Sequence, residues 1–202
     1  MSQRAMKLAV LGDKIVDSMI QNDMIPQKQR PIYLFGVCQG IRICYELILM
    51  LVSGVVLGAL AETVQMLVTF IPIRIYAGGY HAKTPARCAF SSWILYLLHI
   101  SAVKWLMIPG VVAAVVVAAV PAMVLLLGPV EDEQKPLLDY EKIRYREKAV
   151  YHSLFFACIA LVWGKLGFVN MEKSVVMGFS MVFVVVAAGA LYQRKEKLRG
   201  KV

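Results

Sequence analysis

From Val111 to Leu127 the chain runs without a single charged residue. Few folds accept such a run, and it does not stand alone. Of the 202 residues, 59% are hydrophobic and only 17% are charged, with a mean hydropathy of +0.66. A soluble domain of this length carries more charge. The expected fold is therefore an all-α, polytopic integral membrane helical bundle, one membrane domain over residues 1–202.

The spans are set by the apolar stretches. Ile43 to Leu60 is the first, and Ala61-Glu62-Thr63 reads as a tight turn after it. Val64 to Tyr76 is a second, shorter span that contains Pro72. Such a short helix implies local thinning or a re-entrant geometry, either of which lets water reach the loop after it. Cys88 to Met107, Gly110 to Gly128, Tyr151 to Phe168 and Val175 to Tyr192 complete a set of six. Gly54 and Gly58, four apart, mark a helix–helix contact. Arg42 and Glu46 have the spacing of an i,i+4 pair.

Residues 1–30 read differently. They have no uninterrupted apolar core, so no cleavable leader is expected. Met6, Leu8, Ala9, Ile15, Val16, Met19 and Ile20 recur at three-and-four spacing, with Lys7, Asp13, Lys14, Asp17 and Gln21 between them. This pattern predicts an amphipathic helix, lying on the membrane surface or packed on its own bundle. Ile25-Pro26 ends it.

Charge sets the orientation. With six spans, all but three of the 22 Lys and Arg fall on the side of the two termini, leaving Lys104, Lys165 and Lys173 opposite. Positive residues favour the cytoplasm, so both termini, the 74–88 loop and the 129–150 loop are expected there. An odd number of spans would spoil this segregation. The net charge of +9 suits anionic lipid headgroups or an acidic peptide. The basic residues are dispersed among membrane loops, which argues against nucleic acid.

The 74–88 loop carries the chemistry. It reads Arg74-Ile-Tyr-Ala-Gly-Gly-Tyr-His-Ala-Lys-Thr-Pro-Ala-Arg-Cys88. A cysteine becomes a thiolate nucleophile with the help of a nearby base, and imidazole is the usual one. His81 and Cys88 supply that pair where an apolar chain meets water. Thr84-Pro85 is a helix start, a capping residue followed by proline at the first helical position. Cys88 then lies in or just past the opening turn, where backbone N–H groups and the helix dipole favour an anion and offer an oxyanion hole. Lys83 and Arg87 add positive charge, and Gly78-Gly79 gives a flexible turn that folds His81 back towards the sulfur. Against this stands the plain reading of His81 as an interfacial residue and Cys88 as a packing residue. Cys38, Cys44 and Cys158 sit in or beside apolar segments and read as packing residues, and no C-x-x-C pair is present. His99 and His152 read as satisfied within the bundle, so no metal and no cofactor is implied. Glu131, Asp132, Glu133, Ser91 and Ser92 are candidates to orient the histidine, Glu131 first among them. Arg74 binds a substrate carboxylate or carbonyl, or anchors the interface.

The motif Arg-x3-Gly-Gly-x-His-Ala-x5-Cys, together with Gly128-Pro-Val-Glu-Asp-Glu-Gln-Lys-Pro136, resembles the AgrB family of bacterial membrane endopeptidases. The resemblance extends over nearly the whole chain in length, span pattern and the position of the loop. It implies a cysteine endopeptidase of the bacterial cell membrane that cuts an AgrD-like quorum-sensing propeptide on its C-terminal side. His81 and Cys88 match the family's essential pair, and Arg74 and Gly79 match its arginine and second glycine. The implied product is a cyclic autoinducing peptide, a thiolactone or a lactone, formed through a thioester on Cys88. The family also implies a homodimer. Two other classes stay open: a small exporter of a peptide or metabolite that cuts nothing, and a structural scaffold for a receptor kinase.

Overall fold

The computed structural model describes residues 3–80, 84–130 and 137–198. Among these the regular structure is helical: α1 (Gln3–Gln21), a 3-10 turn (Gln27–Gln29), α2 (Arg30–Val56), α3 (Leu60–Ala77), α4 (Pro85–Trp105), α5 (Gly110–Leu127), α6 (Asp139–Lys165) and α7 (Val169–Leu198). Five helices are long and apolar enough to cross a membrane: α2, α3, α4, α5 and α7. The protein is an all-α membrane protein. Its residues group into two compact units, 1–53 and 54–202.

In the first unit α1 folds back along the first half of α2. A Cβ on Gly12 would fall 2.5 Å from the Cys38 sulfur, so the two helices touch there. The Arg30 guanidinium lies 2.9 Å from both Asp13 and Asp17 and fastens the hairpin at its turn. The polar stripe of α1 thus serves in part to grip α2, and Val16, one turn on from Gly12, is fully buried. On α2, Arg42 lies 3.9 Å from Glu46, in the expected pairing.

The second unit is built around α7. That helix packs against α3, α4, α5 and α6, while α4 packs mainly on α7 and only lightly on α3. Ile73, Val120, Val124, Phe156, Val175, Phe179, Val182 and Val186 form the apolar core. Buried side chains on α6 (Ala149, Phe156, Ala157, Ala160) belong to the same core. The first third of α6, Asp139 to Lys148, is charged, which is why α6 falls outside the set of five although it was expected as the fifth of six spans.

Several boundaries differ from the sequence reading. Ala61, Glu62 and Thr63 are the opening turn of α3 and not a loop. The turn lies earlier, at Leu57 to Ala59, closed by Gly58 N–H to Val55 and Ala59 N–H to the Gly54 carbonyl. Glu62 near a helix N-terminus is electrostatically favourable, which the loop reading overlooked. The second span is not short: α3 has 18 residues and runs through Pro72. Packing by α6 and α7 on either side holds the helix where proline removes one backbone bond. Gly54 does mark a contact, since a Cβ there would meet Thr63 Oγ1 at 2.6 Å, whereas Gly58 belongs to the turn. Cys44 and Cys158 lie exposed on their helices, not packed inside these units. An apolar side chain facing lipid needs no protein partner.

Candidate active site

The last turn of α3 leads straight into the glycine pair. The Gly78 amide closes the helix on the Arg74 carbonyl at 3.2 Å. Gly78 and Gly79 then take φ of +69° and +121°, conformations that side chains rarely adopt. The pair is not a loose turn. Val130 pairs with Gly78 as an isolated parallel bridge: its N–H donates to Ala77 (2.9 Å) and its carbonyl accepts from Gly79 (3.3 Å). A Cβ on Gly78 would collide with that carbonyl oxygen. The Tyr80 N–H donates to the Val185 carbonyl of α7 at 2.9 Å. Arg74 Nη2 donates to the Tyr80 carbonyl at 2.8 Å, so the arginine holds the residue just before His81.

The partner segment is equally fixed. Arg146 on α6 donates through Nε to the Gly128 carbonyl at 2.8 Å. Val130 and Ala77 are both buried and belong to the core cluster. The acidic run that begins at Glu131 therefore leaves from a residue bonded to the glycine pair. Beside it, Tyr76 stacks on His152 with ring centroids 5.3 Å apart, and Lys148 lies over the same ring at 5.2 Å. The His152 Nδ1 donates to the Lys148 carbonyl at 2.6 Å, so this histidine is engaged by its own helix.

On the other side, α4 begins as the sequence proposes. Thr84 caps it, its hydroxyl accepting from the Arg87 N–H at 3.4 Å, with Pro85 at the start. Cys88 lies half-buried at the fourth helical position, and its N–H donates to the Thr84 carbonyl at 3.1 Å. The opening turn's donors are thus largely used: Pro85 has none, and those of Arg87 and Cys88 go to Thr84. The Ala86 N–H is the remaining candidate for an oxyanion hole, a narrower offer than expected. Ser91 donates its hydroxyl hydrogen to the Cys88 carbonyl at 2.9 Å, which commits it to the helix backbone.

Far from Cys88, α4 is tied down by polar side chains. Thr63 donates to the Ala59 carbonyl, so the Tyr96 hydroxyl donates to Thr63 at 3.1 Å. Ser174 on α7 donates to the Glu62 carbonyl at 2.8 Å, so its oxygen accepts from His99 Nε2 at 3.0 Å. His99 therefore carries its hydrogen on Nε2, and its buried Nδ1 has no partner among the described residues. Lys104 donates to the Leu57 carbonyl, and Lys173 reaches the Val103 carbonyl at 3.4 Å.

Of the candidates read from sequence, Arg74, Gly78, Gly79, Arg87 and Cys88 lie at this one end of the unit. His81, Lys83 and Glu131 fall outside the described residues. Three α7 residues at the site escaped the sequence reading: Val185, Gly189 and Tyr192. Gly189 offered the one signal, a glycine within the small-residue run Ala187 to Ala190. Among the described residues, no three His, Cys, Asp or Glu side chains are grouped to hold a metal.

A family model described as AgrB, accessory gene regulator B, matches residues 12–188, most of the chain. No curated protein and no solved structure matches it.

Proposed function

The chain belongs to the AgrB family, and from that premise we propose that it is a membrane cysteine endopeptidase that cuts an AgrD-type propeptide. Membership makes it a membrane protein of the accessory gene regulator system. The observation that carries the finer reading is that two ordered elements, ending at Tyr80 and starting at Thr84, lie four residues apart in the chain. A capped helix presents Cys88 in its opening turn, and a backbone-bonded glycine pair delivers the chain to His81.

The chemistry rests on those residue types. His81 takes the proton from the Cys88 sulfur, and the thiolate adds to the scissile carbonyl. The Ala86 N–H supports the oxyanion, and the C–N bond breaks as His81 returns the proton to the departing amine. The N-terminal part of the propeptide stays on Cys88 as a thioester. A cysteine thiol within the peptide then attacks that thioester and closes a thiolactone ring, freeing Cys88 with its proton restored. A serine in its place closes a lactone. Glu131 is the first candidate to orient His81, since it comes directly after the bonded Val130. Lys83 and Arg87 add positive charge to this stretch of the sequence, which suits an acidic peptide end and anionic lipid alike.

The orientation belongs to the same reading: active site and both termini on the cytoplasmic side of the bacterial cell membrane, where thiols stay reduced. A homodimer is compatible with it. The test is Cys88→Ala in intact membranes with a co-expressed AgrD-type propeptide. Cleavage should vanish while the protein remains in the membrane. Continued cleavage by that variant, or export of uncut peptide by it, would remove the proposal.

A further inference from the structure

Helix α7, which the sequence presents as an ordinary apolar span, also meets the glycine segment. At Gly189 it runs against the backbone of the glycine pair. A Cβ on Gly189 would fall 2.6 Å from the Tyr80 nitrogen, 2.7 Å from the Gly79 carbonyl carbon and 2.8 Å from the Gly79 Cα. Real Cβ atoms do not approach backbone so closely. One turn earlier the Val185 carbonyl accepts the Tyr80 N–H, although helix geometry also offers that carbonyl to the Gly189 N–H. Gly79 presses back, since a Cβ there would lie 2.8 Å from the same oxygen. One turn later the Tyr192 ring meets the Tyr80 ring edge-on, with centroids 5.7 Å apart.

We propose that Val185, Gly189 and Tyr192 form a seat on α7 that positions the catalytic histidine through Gly79 and Tyr80, with Gly189 as its key residue. The proposal rests on the endopeptidase reading above. Gly189 touches no reacting atom; it is a positioning residue. It also lies just past the residues matched by the family model. Its presence is otherwise unfavourable. Glycine is a poorer helix former than alanine, and here the close approach of Gly79 and Tyr80 requires it. The missing methyl group is what lets the Tyr80 amide reach a helix carbonyl that side chains normally shield.

This separates position from stability. Gly189→Ala improves the intrinsic helix propensity of α7, so a loss of activity cannot come from a weakened helix. It must push Gly79 and Tyr80 off the seat. Displacements of that size, remote from the bond being broken, lower turnover by about tenfold to a hundredfold.

The experiment uses the full-length protein in membrane vesicles, with two readouts. The first is cleavage of a co-expressed AgrD-type propeptide, separated into kcat and KM. The second is the iodoacetamide alkylation rate of Cys88 at neutral pH, with the Cys88→Ala protein as the blank. Gly189→Ala should lower kcat by about tenfold or more with KM little changed, and should slow Cys88 alkylation, taken above the blank, by a similar factor. Gly178→Ala, on the same helix with an ordinary 3.5 Å contact to Thr69, should change neither. Tyr192→Ala should reproduce the loss, and Tyr192→Phe, which keeps the ring, should restore activity. If Gly189→Ala does not accumulate, the Tyr192 pair decides: no loss in the alanine variant, or equal loss in both, overturns the seat. Full kcat and fast Cys88 alkylation in Gly189→Ala overturn it as well. An ordinary alkylation rate in the unaltered protein instead counts against the endopeptidase reading itself.

Discussion

On the histidine side of the site, every residue from Ala77 to Tyr80 makes a backbone hydrogen bond, to α3, to Val130 or to Val185. On the cysteine side, Ala86, Arg87, Phe90 and Ser91 are exposed, and Cys88 is only half-buried. The helix that carries Cys88 is fastened at its other end, through Tyr96, His99, Val103 and Lys104. One half of the site is therefore held where it acts, by groups that every residue has. The other is held some turns away, by side chains chosen for the purpose. On the reading proposed above, a segment held up to Tyr80 and a lightly packed start of α4 suit a peptide that enters from the α4 side.

Four substitutions probe that contrast. The harshest should be Gly78→Ala, which forces a methyl group onto the Val130 carbonyl and demands a positive φ. It should remove the bridge and lower cleavage by about a hundredfold or more, measured at equal membrane content. Next is Arg74→Met, which keeps much of the side-chain bulk and loses the bond to the Tyr80 carbonyl. A hydrogen bond from a charged group is worth about 1.5–3 kcal/mol, so kcat should fall by about tenfold or more. A smaller effect is expected for Thr84→Ala. Losing the cap costs about 1 kcal/mol, seen as faster amide exchange over the first turn of α4 and an activity reduced several-fold. The mildest is Tyr96→Phe. It deletes one hydrogen bond between helices, worth about 0.6 kcal/mol in a membrane, and should lower thermal stability slightly with cleavage almost unchanged. A Tyr96→Phe loss as large as that of Gly78→Ala would show that the two halves are not held differently.

Much of this was legible in the residues, for reasons that differ by feature. The charge-free run at Val111 reports directly on a bilayer, and it lies in α5, one of the five apolar helices long enough to cross one. Thr84-Pro85 is a local signal, and the cap it forms is the one expected. The turn after α2 was misplaced because Ala61, Glu62 and Thr63 are polar enough to read as loop, while Glu62 in fact complements the α3 dipole. Pro72 read as a weakness, but packing by α6 and α7 overrides the lost bond. The flexible reading of Gly78-Gly79 failed for a deeper reason. What grips the pair is the backbone of Val130 and Val185, and no side chain announces a main-chain carbonyl distant in sequence. Gly189 could have been suspected from its small neighbours, yet its partner could not.

Ser174, which accepts from His99, and Val185, which accepts from Tyr80, stand on one continuous helix. By helical rise they are about 16 Å apart along its axis. The rod of α7 thus works as a gauge bar between the mooring of the cysteine helix and the mooring of the histidine segment. A thicker or thinner bilayer tilts the bar and carries both moorings with it. Adding or removing one residue between them, by contrast, turns one mooring about 100° away from the other.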